Sequence, residues 1–296
     1  MDGAWIGFRP VSIQKRGRVN SGILYYVRPL EEGSPIGALV QSTRLGSTAV
    51  VALHRPDKRN ALSRALIAEL HAAFEAAGAD ASVRCVILTG SGTAFCAGMD
   101  LDELRATVES SVEPEILWAD ARRLSALYEL VSTFPKPTIA AVNGAAVAGG
   151  AGLVTVCDLA LAVPSAKFGY PEVRRGLVAA MVLPHLLRHV GERAARWLLL
   201  TGELIDASEA QRVGLINAVV EPGALMDSAM QWAGWLAEGG PKALATTKSL
   251  LARCSHQAIP TAELAKASAE PRLTDECREG LIAFFAKRPA EWAKPD

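Results

Sequence analysis

This sequence has few aromatic residues and no net charge. Only 6% of its 296 residues are aromatic, and its 31 Lys and Arg residues balance its 31 Asp and Glu residues. The balance gives no overall attraction to nucleic acid or to an anionic membrane surface, so neither is expected as a partner. Because 50% of the residues are hydrophobic, an intrinsically disordered chain is excluded. Abundant Ala, Val and Leu indicate close packing of small side chains, as in α/β proteins.

The cysteines and histidines lack the spacing of a disulfide scaffold or a metal site. The five cysteines are an odd number and form no CxxC pair, which argues against a disulfide framework or a zinc ribbon. Such usage is typical of a reducing compartment, so we expect a cytoplasmic location. His185 and His189 have helical spacing but lack the glutamate of the HExxH zinc-protease motif. No metal and no redox cofactor is therefore expected.

The sequence shows no secretory signal and no convincing membrane span. Residues 1–30 hold no apolar run of ~7–15 residues after a basic start. Residues 137–157 are uncharged and numerous enough to cross a bilayer, but they include Asn143 and several glycines. A strand, a tight turn and a buried helix explain that composition better.

The chain divides into three regions. Residues 1–45 are rich in Gly and Arg and show no sustained period of 2 or 3.6 residues, so we expect a mobile or loosely packed extension. An Arg-bearing targeting arm is the alternative for this segment. Residues 46–235 are expected to form the core, and residues 236–296 a helical C-terminal region.

Apolar runs that alternate with helical patterns predict an α/β fold in which sheets are covered on both faces. Buried strands are expected over residues 48–53, 85–88, 138–142 and 159–163. Helices are expected over residues 63–77, 100–107, 118–134 and 150–156, the first with Ser63 as its N-cap.

Two glycine-rich turns, residues 89–101 and 143–152, each follow a predicted buried strand. Neither contains GxGxxG, and Gly144 and Gly149 are not followed by the Lys-Ser or Lys-Thr of a phosphate-binding loop. Glycine lets a ligand approach the backbone, and the first N–H groups of a helix lack internal partners. Two such N–H groups aimed at one point bind a developing oxyanion, which suits thioester chemistry. Tight packing of small residues is the alternative interpretation.

Four segments carry a family resemblance. They are Arg55-Pro56 with Asn60-Ala61-Leu62, Phe-Cys-Ala-Gly-Met-Asp-Leu at residues 95–101, Lys-Pro-Thr-Ile-Ala-Ala-Val-Asn-Gly at residues 136–144 and Phe-Gly-Tyr-Pro-Glu at residues 168–172. In this order they resemble the crotonase family, the enoyl-CoA hydratase/isomerase superfamily, and the resemblance runs from about Ser47 to Trp292. It implies a spiral of repeated ββα units, followed by a helical C-terminal trimerisation region. The expected assembly is a homotrimer or a dimer of trimers.

The resemblance also implies a site for an acyl-CoA thioester. It assigns the two N–H groups that hold the thioester carbonyl to Met99 and Gly149, and it assigns the acid/base role to Glu172. Coenzyme A enters as part of the substrate, and no separate cofactor is expected. The implied CoA-binding positions are Lys58, Arg59, Ala61, Ala97, Asp100, Leu101, Phe284 and Lys287. For Lys58, Arg59 and Lys287 a solvated surface charge is the alternative.

One departure from the family pattern bears on the reaction. Family hydratases carry two glutamates, and the position of one of them, three residues after Gly149, is Gly152 here. The leading hypothesis is an acyl-CoA hydratase that adds water to a 2-enoyl thioester whose carbonyl lies in a backbone oxyanion hole. An enoyl-CoA isomerase that uses Glu172 alone and a non-catalytic member that binds CoA or a carrier protein are the alternatives.

Other charged residues are candidates for supporting roles. Arg174 and Arg175 are candidates to pair with a substrate carboxylate, because their segment is similar to hydratases for branched, carboxylated thioesters such as 3-methylglutaconyl-CoA. Pairing with Glu172 or with solvent is the alternative. The substrate or another acidic residue could serve the water in place of the missing glutamate, and the candidates are Glu103, Glu113, Glu115 and Asp120. For each of the four a solvated helix charge is the alternative.

Overall fold

The computed structural model describes residues 38–109, 113–254, 266–267, 270 and 274–293, without the side chains of residues 108, 109 and 284. Residues 1–37, most of the expected extension, lie outside the described residues. None of the helices that are described combines the length and the apolar character needed to cross a bilayer.

The described residues contain ten strands in two sheets. The larger sheet has the strand order β1-β2-β3-β5-β7-β10, and the smaller sheet has the order β4-β6-β8-β9. In the larger sheet β1 is antiparallel to β2, and the other neighbouring pairs are parallel. The strands are β1 (Val40–Leu45), β2 (Thr48–Leu53), β3 (Cys85–Gly90), β4 (Ala94–Cys96), β5 (Thr138–Val142), β6 (Ala145–Val147), β7 (Leu159–Ala162), β8 (Lys167–Gly169), β9 (Ile205–Asp206) and β10 (Ala218–Val219).

Nine α-helices lie within the ranges 38–109, 113–254 and 274–293. As predicted, the Ser63 hydroxyl caps the first of them by accepting a hydrogen bond from the Leu66 N–H at 3.2 Å. The helices are α1 (Arg64–Ala79), α2 (Leu101–Glu109), α3 (Pro114–Ser132), α4 (Gly149–Val156), α5 (Leu183–Thr201), α6 (Ala207–Arg212), α7 (Leu225–Glu238), α8 (Pro241–Cys254) and α9 (Asp275–Phe285). Short 3-10 helices lie at Pro56–Lys58, Pro171–Arg175, Pro222–Ala224 and Glu291–Ala293.

The core is built on the apolar strands of the larger sheet. All five residues of β5 are buried, and so are residues 85–88 of β3. Helix α7 packs against β3, β5 and β7, whereas α1 packs against β1 and β2. The predicted α/β fold class, with continuous apolar strands, is confirmed.

The expected boundary of the N-terminal extension at residue 45 is wrong in one respect. Residues Val40–Leu45 form β1, which pairs with β2 from Val40 opposite Leu53 to Leu45 opposite Thr48. Val40 is fully buried, and a carboxylate oxygen of Glu69 accepts the N–H groups of Leu39 and Val40 at 2.8 and 3.0 Å. The folded region therefore begins before residue 46. Strand β1 covers an edge of β2 that would otherwise be exposed.

The smaller sheet, which the sequence did not predict, positions three segments side by side. Strand β6 is parallel to both neighbours, with Ala145 opposite Ala94 of β4 and Ala146 opposite Phe168 of β8. Parallel strands end at the same edge of a sheet. The segments that follow β4, β6 and β8 therefore begin at one edge of the sheet. These segments contain Met99, Gly149 and Glu172.

Candidate active site

A cavity of about 360 Å³ lies where these three segments meet. Helices α2 and α3 and the lining residues 177–179, 181 and 182 form its remaining walls. Of the predicted site residues, the cavity lining includes Met99, Gly149, Glu172, Ala97 and Leu101.

The first turn approaches the second so closely that only glycine fits at position 98. Gly98 has φ of 88°, and a Cβ placed on it would lie 2.8 Å from the Cβ of Ala148 and 3.2 Å from the nitrogen of Gly149. The Gly98 carbonyl accepts the Leu62 N–H at 2.7 Å, and the Asp100 N–H donates to the Leu62 carbonyl at 3.1 Å. These two bonds hold the backbone of Met99, which lies between them.

The second turn holds Ala148 in a strained backbone conformation. Its φ of 52° and ψ of −124° are sparsely populated by residues other than glycine, and such strain clusters at functional sites. The Ala148 N–H donates to the Gly169 carbonyl of β8 at 2.8 Å, and the Ala148 carbonyl accepts the Gly152 N–H at 3.0 Å. The strand on one side and α4 on the other thus fix the peptide that carries the Gly149 N–H.

The N–H groups of Met99 and Gly149 donate no hydrogen bond to any residue that the structure describes. Gly149 is the first residue of α4, where backbone N–H groups lack internal partners and carry the positive end of the helix dipole. The two residues line one cavity, so the arrangement is suited to an oxygen that becomes negative during a reaction.

Glu172 supplies a carboxylate with an unused oxygen. It lies in the 3-10 helix after β8 and is partly buried, and its Oε2 atom is buried without a hydrogen-bond partner among the described residues. Burial raises the pKa of Glu172 above its usual value, although the nearby Arg175 opposes this shift. A raised pKa brings the carboxyl group closer to the pH at which proton transfer is efficient.

Two of the other acidic candidates, Asp120 and Glu103, line the cavity but are already engaged. Asp120 accepts hydrogen bonds from Arg64 at 2.8 and 2.5 Å and from Arg123 at 2.6 Å. These hydrogen bonds, first that of Arg64, hold the pKa of Asp120 below its usual range despite partial burial. Glu103 accepts the backbone N–H of Arg64 at 3.0 Å. Both carboxylates thus accept hydrogen bonds within the protein, whereas Oε2 of Glu172 has no partner among the described residues.

The remaining acidic candidates, Glu113 and Glu115, are exposed and do not line the cavity. Glu115 pairs with Arg122 at 2.5 Å. Of the two candidate arginines, Arg174 pairs with Glu203 and donates to the Thr201 carbonyl at 2.9 Å. Arg175 lines the cavity, and it is the better placed of the two to meet a substrate.

The predicted CoA-binding residues divide into supporting and exposed positions. Ala61 and Asp100 are buried beside the first turn, where the Ala97 N–H donates to the Arg59 carbonyl at 3.0 Å. Lys58 and Arg59 are exposed outside the cavity lining, and Lys58 forms a 3.0 Å ion pair with Asp102.

At the C-terminus, Lys287 is exposed outside the cavity lining, and the side chain of Phe284 lies outside the described residues. The CoA-binding assignments of both residues stay predictions.

Three residues around the site were not assigned a role from the sequence. Asn60 is fully buried, and its amide donates to the carbonyls of Ser91, Ala94 and Phe95, so it holds the first half of the first turn. Tyr128 of α3 lines the cavity, and Arg55 pairs with Asp100. Helical spacing identifies the buried face of α3, but no local signal shows what that face covers.

Comparisons with known proteins identify the family of the chain. The family model for enoyl-CoA hydratase/isomerase matches residues 43–295. A putative enoyl-CoA hydratase of Thermus thermophilus is 44% identical over 251 residues, which cover 82% of this chain and 96% of the relative. The 2,3-dehydroadipyl-CoA hydratase of Escherichia coli is 36% identical over 251 residues, 82% of this chain and 94% of the relative.

A solved structure shows the same fold. The crystal structure of an enoyl-CoA hydratase from Shewanella pealeana has a TM-score of 0.81 and 33% identity, and the match covers 86% of this chain and 96% of that one. The family match spans most of the chain, and its motifs lie around the cavity. The chain therefore belongs to the enoyl-CoA hydratase/isomerase family and is an enzyme of the crotonase superfamily.

Proposed function

We propose that the protein is an acyl-CoA hydratase, which adds water across the C2–C3 double bond of a 2-enoyl thioester. The observation that carries this proposal is the unpartnered Oε2 atom of Glu172 in the cavity that Met99 and Gly149 line. One proton-transfer group and two free N–H donors are the groups that such a reaction needs. The names of the Thermus and Escherichia relatives support the same reaction class.

The proposed reaction uses one carboxylate for both proton transfers. The thioester oxygen accepts the N–H groups of Met99 and Gly149, which draws electrons from C3 through the conjugated double bond. Glu172 takes a proton from water as the water oxygen bonds to C3, and the carbonyl oxygen gains the negative charge of an enolate. Glu172 then returns the proton to C2, the enolate collapses to the thioester, and the product is a 3-hydroxyacyl thioester. Every atom of the water ends in the product.

An isomerase is the second candidate, because a single carboxylate also suffices to move a proton between C4 and C2 of a 3-enoyl thioester. Gly152 supports that candidate, since no side chain stands at the position of the second family glutamate. The free donors and the free carboxylate argue against a non-catalytic binding protein.

The experiment is a turnover panel with crotonyl-CoA, 3-hexenoyl-CoA and 3-methylglutaconyl-CoA, in which products are separated by chromatography. Hydration of crotonyl-CoA or 3-methylglutaconyl-CoA is the expected result. Turnover of 3-hexenoyl-CoA alone would establish the isomerase instead. Absence of turnover with all three thioesters would contradict both enzymatic proposals.

Coenzyme A is the proposed thiol carrier, and Lys58, Arg59 and Lys287 are exposed charges suited to its phosphates. The proposed assembly is a trimer or a dimer of trimers, and the protein is proposed to work in the cytoplasm. Large apolar side chains on α5 support burial by another subunit, since Trp197 and Leu200 are 42% and 69% exposed in the single chain. Light scattering at micromolar concentration tests the assembly, and a monomer would contradict it.

A further inference from the structure

The hydroxyl of Tyr128 occupies the space into which a side chain at position 152 would extend. A Cβ placed on Gly152 would lie 2.6 Å from Cζ of Tyr128 and 2.7 Å from Cγ1 of Val182, and the phenol oxygen is closer still. Gly152 is therefore not an empty position in the site. Its lack of a side chain is matched by a buried tyrosine that arrives from another helix, α3.

The Tyr128 hydroxyl is fixed in a single orientation by one hydrogen bond. It donates to the Gly149 carbonyl at 2.7 Å, and the side chain is only 2% exposed. The hydroxyl proton is used in this bond, so the lone pairs of the oxygen remain to accept a hydrogen bond. In the described residues no other hydrogen bond to this hydroxyl is found.

Tyr128 and Glu172 line the same cavity. Burial, together with the nearby charges of Cys96, Tyr170 and Glu172, raises the pKa of Tyr128 well above its usual value. The hydroxyl therefore stays protonated at any working pH and cannot act as the base. Glu172 can thus exchange a proton with a ligand, whereas the Tyr128 oxygen can only accept a hydrogen bond from one.

We propose that Tyr128 positions the attacking water by accepting a hydrogen bond from it, at the place where Gly152 provides no carboxylate. One hydrogen of the water faces the Glu172 carboxylate and leaves as a proton, and the other faces the phenol oxygen and stays on the product hydroxyl. This inference rests on the proposed hydratase function, and it makes the site a glutamate–tyrosine pair.

The first test is Tyr128→Phe, which keeps the ring and removes only the oxygen. The kcat for hydration should fall about 10- to 100-fold, the effect of losing one well-placed hydrogen bond. The dissociation constant of butyryl-CoA, a saturated thioester that takes up no water, should stay within about twofold. The pH profile of kcat should be lower with an unchanged midpoint, because Glu172 sets the midpoint. Val131→Ala on the same buried face of α3 is the control for a packing loss.

Two results of this test would overturn the inference. One is a kcat within about twofold of wild type in folded Tyr128→Phe. The other is a fall in kcat accompanied by an equal loss of butyryl-CoA affinity, which would assign Tyr128 to holding the Gly149 peptide and not the water.

A second pair of variants keeps the inference testable should Tyr128→Phe fold poorly. Tyr128→Leu together with Val182→Ala removes the acceptor and both close contacts of a side chain at position 152, and the added change Gly152→Glu places a carboxylate there. The triple variant should hydrate at least about tenfold faster than the Tyr128→Leu, Val182→Ala protein, and equal rates would refute the inference. Wild-type protein that hydrates no enoyl thioester would overturn the proposed function, whereas active wild type with normal Tyr128→Phe overturns the role of Tyr128 alone.

Discussion

Arg55 forms an ion pair with Asp100, the residue that follows Met99 in the first turn of the site. The side chains of the two residues are 21% and 5% exposed. Asp100 also accepts the N–H groups of Asp102 and Glu103 at 2.9 and 3.2 Å, so it caps the start of α2. Although burial opposes the charge, the Arg55 hydrogen bond and these N–H groups hold the pKa of Asp100 below its usual value. The Asp100 carboxylate, directly after Met99, thus links Arg55 to the start of α2.

The change Asp100→Asn should destabilise the fold, because Arg55 would lose its charged partner. We expect the free energy of unfolding at pH 7 to fall by about 1.5–3 kcal/mol, measured by urea denaturation. A lowered pKa in the folded state stabilises the fold above the unfolded pKa, and this contribution is lost as pH falls through the folded pKa. The difference between variant and wild type should therefore shrink in acid.

The control for this prediction is Asp102→Asn in the neighbouring, exposed ion pair with Lys58. Its two side chains are 61% and 48% exposed, and solvent screens such a pair. A comparable loss in both variants would show that Asp100 has no special role.

The oxyanion assignment predicts opposite outcomes for two changes at Gly149. Gly149→Pro removes the N–H at the first residue of α4, a helix position that tolerates proline. Loss of one such donor typically lowers kcat about 10²- to 10³-fold. Gly149→Ala keeps the N–H and should therefore keep its turnover. Its Cβ would meet Leu62 and Tyr128 at 3.2 and 3.3 Å, contacts that small shifts relieve. Normal turnover by folded Gly149→Pro would reject the assignment.

The larger sheet was predictable because its central strands are buried on both faces. Such strands read as continuous apolar runs, and β2 and β5 have the predicted bounds. Strands β4, β6, β8 and β9 have two or three residues each, which is too short for any periodicity. Their pairing is set by contacts between distant parts of the chain, so the sequence alone did not reveal the second sheet.

The site was predictable where its chemistry lies in local motifs, and less so where it depends on packing. The motifs that carry Met99, Gly149 and Glu172 were recognisable, and the structure brings these residues to one cavity. Tyr128 has the helical spacing of an ordinary core residue, and only the folded chain brings it against Gly152. Asp120 is likewise engaged by Arg64, which lies 56 positions away in the sequence.

Two truncations test where the folded region starts. A chain that begins at residue 38 should keep the wild-type Tm and activity, since β1 and its hydrogen bonds to Glu69 remain. A chain that begins at residue 46 loses β1 and exposes the edge of β2. Burial of the Val40 side chain alone stabilises the fold by about 1.5–3 kcal/mol. The Tm of this shorter chain should therefore drop clearly in a thermal scan. Equal Tm values for the two chains would place β1 outside the cooperative fold.

Arg175 should tune the pH dependence of the reaction. Its charge lowers the pKa of Glu172 and so opposes the effect of burial. Arg175→Gln should therefore move the acidic limb of the kcat/KM profile to higher pH. The matched control is Arg174→Gln, because Arg174 is paired with Glu203 outside the cavity lining and should leave the midpoint in place. An unchanged midpoint in Arg175→Gln would show that this charge does not act on Glu172.

The mechanism depends most on Glu172. Glu172→Gln keeps the size of the side chain but cannot take a proton from water, so kcat should fall about 10²- to 10⁴-fold while butyryl-CoA still binds. In the wild type, kcat/KM should rise with pH through the raised pKa of Glu172, because the ionised form is the base. Glu115→Gln, an exposed carboxylate outside the cavity lining, is the control and should keep full activity.

The change Glu172→Gln should raise the stability of the fold, although it lowers activity. A carboxyl group whose folded pKa is raised destabilises the fold when it is ionised, fully above the folded pKa and not at all below the unfolded pKa. Glu172→Gln should therefore have a higher Tm than wild type at pH 8, and the gain should vanish in acid. Higher stability together with lost turnover would identify Glu172 as a group held for chemistry at the expense of the fold. Near-normal turnover by the folded variant would refute the mechanism, whatever its stability.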